Sequence, residues 1–80
     1  MTPTPKQLEE YIHAGLACEH LHIEGDGRHF FATIVSAAFN NLRPIQRHQK
    51  VYAILGERMH EEIHALSMKT LTPAEWQQTK

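Results

Sequence analysis

The 80-residue chain is 41% hydrophobic and 21% charged, the balance of a single small globular domain over 1–80 rather than of a disordered tail. A net charge of -1 excludes a general polyanion binder, and one cysteine excludes an internal disulfide. No apolar run approaches the roughly 20 residues that span a bilayer. With no secretory pattern in "MTPTPKQLEEYIHAG" and a lone thiol, the expected setting is cytoplasmic.

The chain opens with a helix signal. In "TPKQLEEYIHAGL", Thr4 as N-cap, Pro5 at the first helical position and Gln7 at the third form a capping box. Leu8, Tyr11, Ile12 and Leu16 then recur at helical spacing as one apolar stripe. "EHLHIEGDGRHFFATIVSAAF" predicts a hairpin. Leu21 and Ile23 alternate with His20 and His22, and "GDG" (25–27) supplies a turn that tolerates positive φ. On the second arm Phe30, Ala32 and Ile34 face one way, and Phe31, Thr33 and Val35 the other. Both sets are apolar enough that part of the outer face is expected to be covered.

A short turn or helical piece near Asn40 to Arg43 leads to a second helix from Pro44. There Ile45, His48, Val51 or Tyr52, Leu55 and Met59 fall along one side, with Arg47, Lys50 and Arg58 elsewhere. "EEIHALSMK" (61–69) alternates as a strand, which sets His64 on the face of Leu66 and Met68. "TPAEW" then repeats the capping box with Thr72, Pro73 and Glu75, and offers Trp76 as an anchor. The order α-β-β-α-α-β-α predicts an α/β (α+β) domain. Its sheet has three strands, mixed in direction, with helices on one face and the last strand returning by a right-handed crossover.

Nucleophilic catalysis lacks support. Cys18 ends a helix with no oxyanion loop near it, no phosphate-cradling glycine loop precedes a helix, and no paired carboxylates sit on an obvious cleft, so the chain reads as no enzyme. Seven histidines are the one strong departure in composition. Cys18, His20 and His22 share a face if the strand starts at Cys18, but they lack the further ligands of a structural zinc site. His29 and His64 each sit near a strand start, at a rim of the sheet. Two imidazoles leave a metal site incomplete, so a partner would have to supply the rest; two satisfied structural histidines are the alternative. Arg43, Arg47, Lys50 and Arg58 between Asn40 and His60 are opposed only by Glu57. That layout suits a helix contacting DNA phosphates, or equally a solvated helix face.

Taken together, "GDGRHF", "VSAAFNNLRPIQRHQKVYAIL" and "IHALSMKTLTPAEW" resemble the BolA family over essentially the whole chain, in the manner of its IbaG branch. The resemblance implies a BolA-like fold similar to a type II KH domain, and no enzyme activity. It also implies a partner: a monothiol glutaredoxin, with which the otherwise monomeric chain forms a heterodimer. The two share a [2Fe-2S] cluster in iron–sulfur trafficking or iron and redox sensing, stress response included. Its ligands are the glutaredoxin cysteine, a glutathione thiolate and histidine from this chain. The family's C-terminal ligand histidine matches His64. The family's loop cysteine falls on Asp26, which leaves the second ligand to His29, to a weaker oxygen donor or to solvent. Arg43, Arg47, His48 and Lys50 are the surface expected to dock the partner or glutathione. Some family members are tied to transcription control, so DNA binding by the helix around Arg47 and Lys50 is the alternative function. "NNLRP" stands where a KH domain carries its GxxG loop, which argues against KH-style RNA binding.

Overall fold

The computed structural model describes residues 3–61, 63 and 65–79. Helix α1 (Pro5–Gly15) begins as its local sequence dictates. Thr4 Oγ1 accepts from the Gln7 amide at 3.1 Å, and the Gln7 side chain accepts from the Thr4 amide at 2.9 Å. Two otherwise orphaned amide donors are thereby satisfied. Strands β1 (His20–Gly25) and β2 (His29–Val35) form the hairpin, antiparallel, with His20 opposite Val35 and Gly25 opposite Phe30. Ser36 caps a 3-10 turn at Ala37–Phe39, slightly earlier than the helical piece expected near Asn40. Helix α2 (Pro44–Leu55) and the four-residue α3 (Arg58–Glu61) then carry the chain across to β3 (Ala65–Leu71), which lies parallel to β2. The short helix α4 (Pro73–Gln78) follows, capped by Thr72 and Glu75.

The sheet order is β1-β2-β3, so the mixed three-stranded α+β architecture follows the predicted topology. One boundary differs. Glu61 belongs to α3 and the strand starts at Ala65, where an alternating strand was expected from residue 61. His64 lies outside the described residues.

The core sits between one sheet face and helices α1 and α2. Phe30, Ala32 and Ile34 of β2 pack with Ile23 of β1, Leu8, Ile12 and Leu16 of α1, and Val51 and Leu55 of α2. Leu66 and Met68 of β3 join its margin. Each fully buried large side chain contributes about 1.5–3 kcal/mol through removal of apolar surface from water. Helix α1 also guards the β1 edge, where the Glu9 carboxylate accepts from the Ile23 amide at 3.0 Å.

Two expectations for α2 are corrected. Ile45, placed on the inner side by periodicity, is 66% exposed, and Arg47, placed outside, is 8% exposed. The buried stripe of α2 is Arg47, Val51 and Leu55. Arg47 turns inward because its acceptors lie there. Nε donates to the Leu42 carbonyl at 3.0 Å, and Nη1 to the Thr70 carbonyl at 3.0 Å and to Glu75 Oε1 at 2.7 Å. A buried charge paired and hydrogen-bonded in this way avoids the desolvation penalty of an isolated one. The Glu75 carboxylate also accepts from the Thr72 amide, at 2.8 Å. Arg47, with that cap bond, holds the Glu75 carboxyl down to about 2.

Candidate metal-ligand site at the hairpin end of the sheet

Register and pleat decide which side chains reach the outer face. His29 is paired with Ala65, Phe31 with Ser67 and Glu24, and Thr33 with Lys69 and His22. Alternation puts all of these opposite the core residues Phe30 and Ala32. Among the described residues, the outer face is covered at the far end. There the Trp76 ring of α4 stacks on His20, with centroids 4.6 Å apart and planes at 16°, and Val35 is fully buried. At the hairpin end His29 is exposed and Phe31 is 51% exposed.

The turn that carries His29 is built by three adjoining residues. Asp26 Oδ1 accepts from the Arg28 amide at 3.0 Å and from the His29 amide at 2.9 Å. These backbone donors hold the Asp26 carboxyl below the usual carboxylate range. Gly27 has φ 97°, which a side chain would disfavour. Gly25 sits against the returning strand: a Cβ there would lie 2.3 Å from the His29 carbonyl oxygen. The "GDG" signal therefore encodes a tight turn whose exit point is the backbone of His29.

The His29 imidazole lies flat on the Phe31 ring, with centroids 4.9 Å apart and planes 4° from parallel. Neither of its ring nitrogens has a hydrogen-bond partner among the described residues. Glu24, Gly25, Asp26, His29 and Phe31 line a shallow open depression. Across the parallel ladder, the Ala65 amide donates to the Arg28 carbonyl at 3.1 Å. Ala65 is the residue that follows His64 in the sequence.

An exposed imidazole whose nitrogens have no partner among the described residues can donate a lone pair to a soft or borderline metal. Among the described residues no group of three or more His, Cys, Asp or Glu side chains is gathered to complete a coordination sphere. His29 fits a metal centre whose other ligands arrive from outside, and does not fit a self-contained site.

The remaining sequence candidates are dispersed. Cys18 is half-buried beside the core, its thiol hydrogen directed at the Leu16 carbonyl at 3.5 Å, and burial raises its pKa. It precedes β1 and is not aligned with His20 and His22. His20 is occupied by the Trp76 stack, and His22 faces Glu24 at 3.4 Å. Of the expected contact residues in and just before α2, Arg43 and Lys50 are exposed and His48 is half-buried. Arg47 is corrected: its guanidinium is spent on interior acceptors and does not serve a docking surface. Arg58 lies 4.0 Å over the Tyr11 ring. Periodicity missed two supports of His29, the Phe31 ring and the Asp26 carboxylate. An Asx-type turn in "DGRH" was the available signal for the second.

Comparison with known proteins adds four likenesses. Residues 6–75 match the family model described as BolA-like protein. The chain is 48% identical over 59 residues to the DNA-binding transcriptional regulator BolA of Haemophilus influenzae, covering 71% of this chain and 57% of that one's length. It is 34% identical over 71 residues to the acid stress protein IbaG of Escherichia coli, covering 88% of this chain and 84% of the relative. Among solved structures, a bolA protein homologue from Coxiella burnetii superposes with a TM-score of 0.86 at 38% identity. That match covers 95% of this chain and 99% of the other.

Proposed function

The chain belongs to the BolA family, and from that membership and the geometry of His29 we propose that it is a non-enzymatic adaptor for a monothiol glutaredoxin. The two proteins hold a [2Fe-2S] cluster between them as cargo or signal, in iron–sulfur trafficking or in iron and redox sensing. This chain donates imidazole nitrogens from His64 and His29; the glutaredoxin cysteine and glutathione supply thiolates. Imidazole in place of thiolate lowers the negative charge on a cluster and raises its potential.

The observation that carries the reading is the His29 ring. It is exposed, lies flat against Phe31, and has no hydrogen-bond partner for either nitrogen among the described residues, at the end of the sheet where β3 begins. The relatives' names describe regulators and a stress protein, and neither name describes an enzyme. No helix among the described residues is long and apolar enough to cross a membrane. The proposed compartment is the cytoplasm, where glutathione stays reduced.

The test is to titrate the chain into a cluster-loaded monothiol glutaredoxin and record visible circular dichroism. A new spectrum is expected, altered by His29→Ala and by His64→Ala. A spectrum identical to that of the glutaredoxin alone would sink the reading.

A second reading, a DNA-binding regulator, is favoured by the Haemophilus relative's name. With Arg47 buried, its contacts reduce to Arg43 at the N-cap of α2 and to Lys50 and His48 on the helix. It predicts a mobility shift that weakens steeply with salt, through counterion release, and that Arg43→Ala with Lys50→Ala abolishes.

A further inference from the structure

We propose that Asp26 and Phe31 are positioning residues for the His29 imidazole, Asp26 fixing the backbone from which the ring leaves and Phe31 fixing the plane in which it lies. This rests on the reading of His29 as a cluster ligand. Metal-binding histidines are commonly oriented through a hydrogen bond from the second ring nitrogen. Here no such partner occurs among the described residues, and the orienting contacts act on the ring face and on the main chain instead.

The geometry assigns the two parts separately. Asp26 Oδ1 gathers the Arg28 and His29 amides at 3.0 and 2.9 Å, and the Asp26 amide donates back to the His29 carbonyl at 3.3 Å. The backbone of His29 is thus held on both sides by one residue. Its side chain retains two torsions, and the parallel contact with Phe31 restricts them. The Phe31 ring is half exposed, so core packing alone does not account for its place. At the position where the family resemblance puts a cysteine ligand, this chain therefore uses a carboxylate to hold its turn and moves the donor to His29. A ligand fixed before the partner arrives loses less freedom on binding.

Four variants and one control separate the possibilities. In the free protein, Asp26→Ala should raise amide exchange at Arg28 and His29, and Phe31→Leu should remove nuclear Overhauser contacts between the His29 and Phe31 rings. With cluster-loaded glutaredoxin, each should weaken complex formation by about tenfold, as for other supports of metal ligands. Asp26→Asn keeps the accepting oxygen and Phe31→Trp keeps a stacking surface, so both should restore binding and the visible dichroism. Phe31 tolerates replacement because of its exposure, which keeps the test open even if Asp26→Ala fails to fold. If His29→Ala changes the cluster spectrum while Asp26→Ala and Phe31→Leu behave as the unaltered chain, the positioning roles are overturned and the adaptor reading stands. If His29→Ala itself changes nothing, the ligand assignment and this inference fall together.

Discussion

At the α4 end of the sheet, the Arg47 guanidinium meets Leu42, Thr70 and Glu75, His20 is stacked under Trp76, and Val35 is sealed. At the hairpin end of the same strands, His29 and Phe31 are exposed, and the imidazole nitrogens have no partner among the described residues. Both ends contain a nitrogen-bearing side chain and an aromatic ring, yet among the described residues only the α4 end satisfies its polar groups. The difference separates residues that close the fold from residues left exposed at the opposite end of the sheet. It also explains why Arg47, the more conspicuous cation in the sequence, adds to the interior and not to an exposed surface.

The contrast can be broken most forcefully at neighbouring phenylalanines. Phe30→Ala removes a fully buried ring and should destabilise the domain by about 3–5 kcal/mol, enough to unfold much of an 80-residue protein. Phe31→Ala, one residue along and on the open face, should lower stability by less than about 1 kcal/mol. Urea unfolding of the pair checks this, and similar losses at both positions would remove the distinction between the faces.

Next in size is Arg47→Ala. It strands the Thr70 and Leu42 carbonyls and should destabilise by about 2 kcal/mol, lowering the melting temperature by about 10 °C. A change confined to partner or DNA binding, with no loss of stability, would return Arg47 to the surface account. Gly25→Ala should follow at about 1–2 kcal/mol, because the new Cβ must push the His29 carbonyl aside.

The smallest effect is the pH dependence of the latch. The folded pKa of Glu75, about 2, lies below its unfolded value near ~4.3. The Arg47–Glu75 contact therefore stabilises the fold above that unfolded value, and its contribution is lost as pH falls toward 2. Chemical denaturation between pH 5 and 2 should show this slope in the unaltered chain and a shallower one in Glu75→Gln.

What the sequence disclosed follows the range of the interactions involved. Both capping boxes, the glycine turn and the two faces of β2 depend on residues within a few positions of one another, and all are present as read. Arg47 was misplaced because its acceptors Thr70 and Glu75 lie 23 and 28 residues away, and helical periodicity treats arginine as polar. Ile45 was misplaced by the same rule in reverse. The start of β3 was set too early because "EEIH" alternates as well as "ALSM" does, while residues 58–61 close a helical turn instead. For the site, the residues nominated both His29 and His64 and the family resemblance singled out His64, but the stack on Phe31 needed coordinates, since an i, i+2 pair in a strand signals a shared face and not ring contact.

The most direct measurement is pulsed electron paramagnetic resonance on the reduced mixed complex. The chain would carry 15N-labelled histidine and the glutaredoxin natural-abundance nitrogen. The account predicts 15N hyperfine coupling from histidine of this chain, diminished by His29→Ala and by His64→Ala. A cluster signal with no 15N coupling would contradict it, because the open imidazole at the hairpin end would then touch no iron.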